Sequence, residues 1–290
     1  MKVWWFIAVL SCQMVFAATS DIQRSLDAKD ATKLIVENSR GKLTFTGSNS
    51  EQVVIAGKVD SAADSLVFEQ QGDAIVFKVI LPENKSFRGK SSSDLSITLP
   101  ESMTLEVKTV SASVQVSGLS NTVSIETVSG PVKAQNLLGG AKVNSVSGEL
   151  KLLQTKGELN LSSVSGDIDV QSDASSVSVS AISGDVDAKF SSIDLLKVTS
   201  VSGGIAISGK VSEKPSIKLS SVTGEISLSL ESPLNAKLDM QTGPGGDIIN
   251  KLSDDTADAS FISEKSLQLE LGNSAGRVKM TTVSGALIIQ

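Results

Sequence analysis

Apolar and polar positions alternate along most of the chain, and from residue 105 onward an eight-residue pattern returns nine times. It reads as two alternating apolar positions, two mostly small polar positions, an apolar residue, Ser or Thr, then Gly. The copies occupy 105–112, 123–130, 141–148, 159–166, 177–184, 196–203, 217–224, 236–243 and 278–285. Their starts are spaced by 18, 18, 18, 18, 19, 21, 19 and 42 residues, and the last interval, twice 21, reads as one coil that has lost the pattern.

A period near 20 residues, rich in Val, Ile, Leu and Ser and with no room for a helix, predicts stacked β-coils. Each coil carries two strands. In the fourth copy Leu159 and Leu161 alternate with Asn160 and Ser162, and beyond the corner Ile168 and Val170 alternate with Asp167 and Asp169. Aligning the coils places Val132, Leu150, Ile168, Val186, Ile205, Ile226 and Leu287 in one column two residues after the corner Gly, expected to point inward. The fold class is therefore an all-β, parallel, β-helix-like solenoid of about 18–21 residues per coil. At about 4.8 Å per coil, nine or ten coils give a rod roughly 45 Å long.

The corner Gly is expected to supply a positive φ in a tight reversal, although the first copy has Ala112 there. The preceding Ser129, Ser147, Ser165, Ser183, Ser202, Thr223 and Ser284 form a hydroxyl column expected to bond along the stack and to turn backbone, in preference to any nucleophilic role.

Residues 18–100 repeat less clearly but still alternate, with Gly41, Gly47 and Gly72 between the segments. They predict an irregular β section that caps the first coil, whose open edge would otherwise recruit other chains. The regular repeats then fill 101–290, with an irregular insertion near 249–277. The carboxyl end looks unprotected: 286–290 is a short apolar strand that simply stops, to be covered by 249–277 or by a partner. Residues 82–94, with Lys85, Arg88 and Lys90, predict a polar mobile loop.

The first seventeen residues read as a signal peptide: Lys2, an apolar run over 3–10, then Val15, Phe16 and Ala17 as a cleavage site. A lipoprotein anchored through Cys12 is the weaker alternative. Cleavage after Ala17 removes the only Cys and both Trp residues, leaving no thiol chemistry, and no other apolar segment is long enough to span a membrane. The formal charge of −6 becomes more negative once Lys2 is lost, which makes nucleic acid a poor partner.

The sequence has no His, which removes the commonest general base and metal ligand. The candidate chemistry is an acidic column, Glu149, Asp167, Asp185 and Glu225, each following a corner Gly, with Asp169 and Asp187 beside two of them. Carboxylates one coil apart repel unless bridged, which would suit a hard cation. Pro131 and Gly204 interrupt the column, so solvated polar corners are the favoured reading and no metal or cofactor is assigned. The Gly-rich turn 243–247 lacks the Lys and Ser or Thr of a phosphate loop and is a single imperfect copy of a calcium-binding one. Lys133 and Lys151 share a column with Asp169 and Asp187, a charge switch along one face that reads more readily as a mixed solvated surface than as a contact.

At its V-S-G-[ED]-[IVL] corners, 146–150, 164–168, 182–186 and 222–226, and in 34–45 and 94–115 with the Leu99–Pro100 step, the chain resembles the bacterial putative-adhesin β-strand-repeat family. The resemblance covers about 30–290, is weakest over 249–277, and implies an exported, right-handed-solenoid-like protein with no transferable site residues. The leading functional expectation is a non-enzymatic, adhesin-like protein offering a repetitive face to an envelope protein or glycan in the periplasm or at the cell surface. Self-association, if any, is expected through the solenoid ends. Two alternatives remain: a polysaccharide-cleaving β-helix using Asp167, Asp169, Asp185 or Asp187 with Lys151 or Lys189, and a periplasmic envelope-stress or assembly accessory.

Overall fold

The structure is a computed structural model that describes residues 21–82, 91–231, 233–259 and 264–290. The leader with Cys12, and Lys85, Arg88 and Lys90 of the expected loop, lie outside the described residues. The described chain is built from strands arranged in two parallel ladders joined at corners.

The first ladder holds the strands that precede each corner, among them Val123–Thr127, Ala141–Ser145 and Glu158–Ser163. The second holds those that follow, such as Val132–Gln135, Leu150–Thr155 and Ile168–Ser172. Register in the second ladder is continuous: Leu43, Val114, Val132, Leu150, Ile168, Val186, Ile205, Ile226 and Leu287 stand directly over one another. All of them are buried, so the expected inward column exists and extends further toward the amino terminus, through Val114 to Leu43. Period-two alternation on both ladders makes the core a continuous apolar filament.

The glycines at the corners are required for a different reason from the expected one in half of the rod. At Gly148 the backbone does not adopt a positive φ. Instead a Cβ there would lie 2.1 Å from the Gly130 carbonyl oxygen of the coil below. Conformation itself favours glycine at Gly41 (φ 116°), which stands over Ala112, and at Gly203 (φ 135°), Gly224 (φ 151°) and Gly285 (φ 145°).

The hydroxyls that hold the corners are also not the expected ones. Ser129 Oγ and Thr223 Oγ1 do donate to the Val110 and Val201 carbonyls, at 3.3 and 3.2 Å. The stronger caps come from a buried column three residues before the glycine. The Gly148 N–H donates to Ser145 Oγ at 2.8 Å, Ser145 Oγ donates back to the Gly148 carbonyl at 2.9 Å, and Ser163 Oγ accepts from Gly166 N–H at 2.8 Å. Where the glycine turns to positive φ this cap is lost, and the buried hydroxyls of Ser200, Ser221, Thr282 and Thr242 have no hydrogen-bond partner among the described residues.

Chain order and spatial order part company at both ends. The final strands Gly276–Thr282 and Ala286–Ile289 do not extend the stack. They slot between Ile205–Ser220 with Ile226–Leu230 on one side and Ala236–Thr242 with Asp247–Asn250 on the other. The 42-residue interval therefore contains no degraded coil. Chain beyond Asn250 returns as Lys265–Glu270, antiparallel on the outermost strand, and then steps back to fill the gap. The register also moves the eighth copy by two residues, because Val278 stands over Leu238 rather than Ala236. Likewise the terminal strand does not simply stop: Leu287 and Ile289 are fully buried, and Gln290 N–H donates to Leu228 O at 3.0 Å.

The amino-terminal end uses the same device. Lys33–Ser48, first of the long strands, lies inside Ala74–Ile80 and Ser93–Pro100, which follow it in sequence, and pairs on its other side with Thr104–Ser117. Antiparallel strands complete this end: Ser65–Gln71 on Ala74–Ile80, and Gln52–Lys58 with Asp21–Asp27 on Ser93–Pro100. Antiparallel strands thus replace the parallel edge of both ladders at this end, and of the first ladder at the other.

Candidate functional site

The acidic column stands where the corner spacing puts it, and two of its four carboxylates, Asp167 and Asp185, serve the turns. Asp167 Oδ1 accepts from Asp185 N–H at 3.0 Å, and Asp185 Oδ1 accepts from Gly204 N–H at 2.7 Å. Asp167 and Asp185 thus cap backbone donors of the next coil. Among the described residues no cluster of three or more His, Cys, Asp or Glu is within reach of a common metal ion.

The charge-switch column is also real in register: Lys133, Lys151, Asp169 and Asp187 follow one another coil by coil. Lys151 and Asp169 form an ion pair at the junction, and hydrogen bonding to Asp169 raises the Lys151 pKa above its usual value. Lys189 reaches Glu231 at 3.6 Å. Both lysines that a carboxylate-dependent cleavage site would need therefore have acidic partners on an open strand face.

The largest outward feature was not foreseen. Val110, Val128, Val146, Val164, Ile182, Val201, Val222 and Val283, the apolar residue of each corner, all point into solvent, with exposures from 38% at Val164 to 56% at Val283. Backbone bonds confirm that they are consecutive in space, from Ser129 N–H on Val110 O to Ser284 N–H on Val222 O. At one side chain per coil, the ridge runs roughly 35 Å. It is unbroken because the last coil is inserted out of sequence, which puts Val283 next to Val222. Contiguous exposed apolar surface on this scale is what interaction sites present. Burying such side chains fully contributes roughly 1.5–3 kcal/mol each, so half-exposed ones retain about half of that for a partner. The motif shows an apolar residue at this position, but at a corner the period-two rule no longer says which way it faces.

A second unforeseen feature lies on the outer face of the first ladder. Lys197, Lys218 and Lys279 stack in register, and the neighbouring column carries Ser216, Arg277 and Lys237. Like charges one coil apart repel by roughly 1 kcal/mol per pair in water. Lys279 reaches Asp239 at 3.6 Å and Lys237 pairs with Glu270 at 2.7 Å, which holds the Glu270 carboxyl below its usual pKa. Aligning the second position of the repeat copies would have found this rank.

One buried ionic network was also missed. At the corner of Lys33–Ser48, Arg40 pairs with Asp60, whose side chain is 1% exposed. Asp60 Oδ1 accepts from Ala62 N–H at 2.9 Å, Asp60 N–H donates to Ser93 Oγ at 3.2 Å, and Ser93 Oγ donates to Asn38 Oδ1 at 3.0 Å. Burial alone would raise the Asp60 pKa, but hydrogen bonds from Arg40, Ala62 and Ser91 outweigh it and hold the carboxyl below its usual value. Its residues come from three separate segments, so no local spacing announced it.

These features define the fold class plainly: a parallel, two-ladder β-solenoid. The family follows from the match of residues 19–237, most of the chain, to the model of Toastrack DUF4097, and the chain belongs to that family. No curated protein matches it. Among solved structures it is similar to a putative cell adhesion protein from Clostridium sporogenes, at 14% identity, over 94% of this chain and 99% of that one, with a TM-score of 0.26. It is also similar to a putative adhesin from Bacteroides fragilis, at 10% identity, over 93% and 97%, with a TM-score of 0.36. Among the described residues no helix is long and apolar enough to cross a membrane.

Proposed function

We propose that this protein is an exported, non-enzymatic binding protein of the cell envelope that engages its partner along the aliphatic ridge. The observation that carries this reading is the ridge itself: eight consecutive corners each place Val or Ile in solvent. The exposed half of each of these side chains is buried by nothing in the fold. Export is supported by the apolar leader and its Val15, Phe16, Ala17 cleavage pattern. A non-catalytic role is supported by the lack of His and by the use of Asp167 and Asp185 as backbone caps.

The test is sedimentation of the purified mature chain with isolated envelopes of the producing cell. Saturable binding is expected, weakened about tenfold by the pair Val164→Ser and Ile182→Ser, a loss of about 1.4 kcal/mol. Binding that ignores the ridge substitutions would refute the reading.

A further inference from the structure

The basic rank on the first ladder's outer face has the chemistry of a second, independent site. Lys197 and Lys218 carry no ion pair among the described residues, and neither do Arg277 and Lys214. In a chain of net charge −6, this concentration of cations is local and works against the fold by mutual repulsion. The carboxylates closest in register, Asp239 and Glu270, already face Lys279 and Lys237.

Where Arg277 and Lys237 end the rank, a cavity of about 400 Å³ opens, lined by Lys214, Pro215, Ser216, Ser274, Ala275 and Gly276 together with those two cations. It is large enough for a sugar ring. Hydroxyls flank the rank: Ser178 precedes Lys197 in the same column, and Thr199, Ser220 and Thr281 form the next one, with Thr281 Oγ1 donating to Ser220 Oγ at 3.1 Å.

We propose that this face binds a linear acidic polysaccharide laid along the solenoid axis. Its carboxylate or sulfate groups meet Lys197, Lys218 and Lys279 in turn, and one acidic residue of the polymer enters the cavity beside Arg277 and Lys214. Cations repeating about every 4.8 Å match a polymer whose acidic units repeat at about one sugar length. Hydroxyls between them suit sugar hydroxyls. Nucleic acid is disfavoured because this face has no aromatic side chain on which a base could stack. The site deepens the binding-protein reading and rests on it, but it uses a different face, so variants of the ridge and of the rank separate the two.

The experiment is calorimetric titration of the mature chain with polygalacturonate, dextran sulfate and neutral dextran, and flotation with phosphatidylglycerol vesicles. Saturable binding to polygalacturonate or dextran sulfate is expected, and whichever binds names the acidic group. Neutral dextran should not bind. The triple variant Lys197→Ser, Lys218→Ser, Lys279→Ser, which copies the Ser178 of the preceding coil, should weaken binding at least about tenfold, and Val164→Ser with Ile182→Ser should leave it unchanged. Should the triple variant fail to fold, the same substitutions to Gln and the wild type in about 1 M NaCl, where the Debye length is about 3 Å, give the same readout. Absence of binding to both acidic polymers, binding that survives loss of the three lysines, or lysine-dependent binding to the vesicles alone would overturn the proposal.

Discussion

Ser145 and Ser221 occupy equivalent places in two coils and have opposite energetic roles. Ser145 Oγ both accepts from and donates to Gly148 within a buried corner. Ser221 Oγ, equally buried, has no partner among the described residues. A satisfied buried hydroxyl contributes about 1 kcal/mol, whereas an unpartnered one costs its desolvation. Ser145→Ala should therefore lower stability by about 1 kcal/mol, and Ser221→Ala should be neutral or stabilising, as measured by urea denaturation. Equal losses at the two sites would contradict this account. Glycine and hydroxyl were both legible at the corners from the repeat. Their reasons were not, because a one-letter pattern does not distinguish close backbone approach at Gly148 from positive φ at Gly224, or an inward Ser145 from an outward Ser147.

At the scale of elements, the long strand Lys33–Ser48 depends on the Arg40–Asp60 pair at its bend. Because the folded Asp60 carboxyl lies below its usual pKa of 3.8, its contribution is fully present at neutral pH and fades as pH falls below that value. Asp60→Asn should cost about 1.5–3 kcal/mol at neutral pH, since it removes the charged acceptor of the Arg40 hydrogen bond in a mostly buried site. The variant should also lose less stability than the wild type between neutral pH and pH about 3. A parallel acid response in both proteins would contradict the assignment. Strands such as Leu150–Thr155 and Ile168–Ser172 were legible residue by residue because alternation and burial coincide there. The order of coils at the ends was not. A strand of the pattern Ala286–Ile289 fits equally well over any coil, and only the pairing of Lys265–Glu270 back onto Ala236–Thr242 leaves a gap for it.

Over the whole molecule, one repeat produces three outward stripes of different chemistry: the aliphatic ridge, the acidic caps and the basic rank. All share the one-coil pitch, so a partner that repeats on that scale can be matched over a long contact with few residue types. The acidic stripe was legible in the sequence, since its members follow their glycines directly, and two of them, Asp167 and Asp185, serve the turns. The ridge was hidden in plain view as the apolar letter of the corner. Its exposure depends on the path of the chain between two ladders, which alternation does not encode.

The most direct test of the ridge is site-specific photocrosslinking in intact producing cells, with a photoreactive side chain at Val164 and, as control, at Asn160 on the neighbouring outer face. The account predicts a discrete adduct from position 164 that disappears when Ile182 is changed to Ser, and none from position 160. The same adduct from both positions, or none from either, would contradict it.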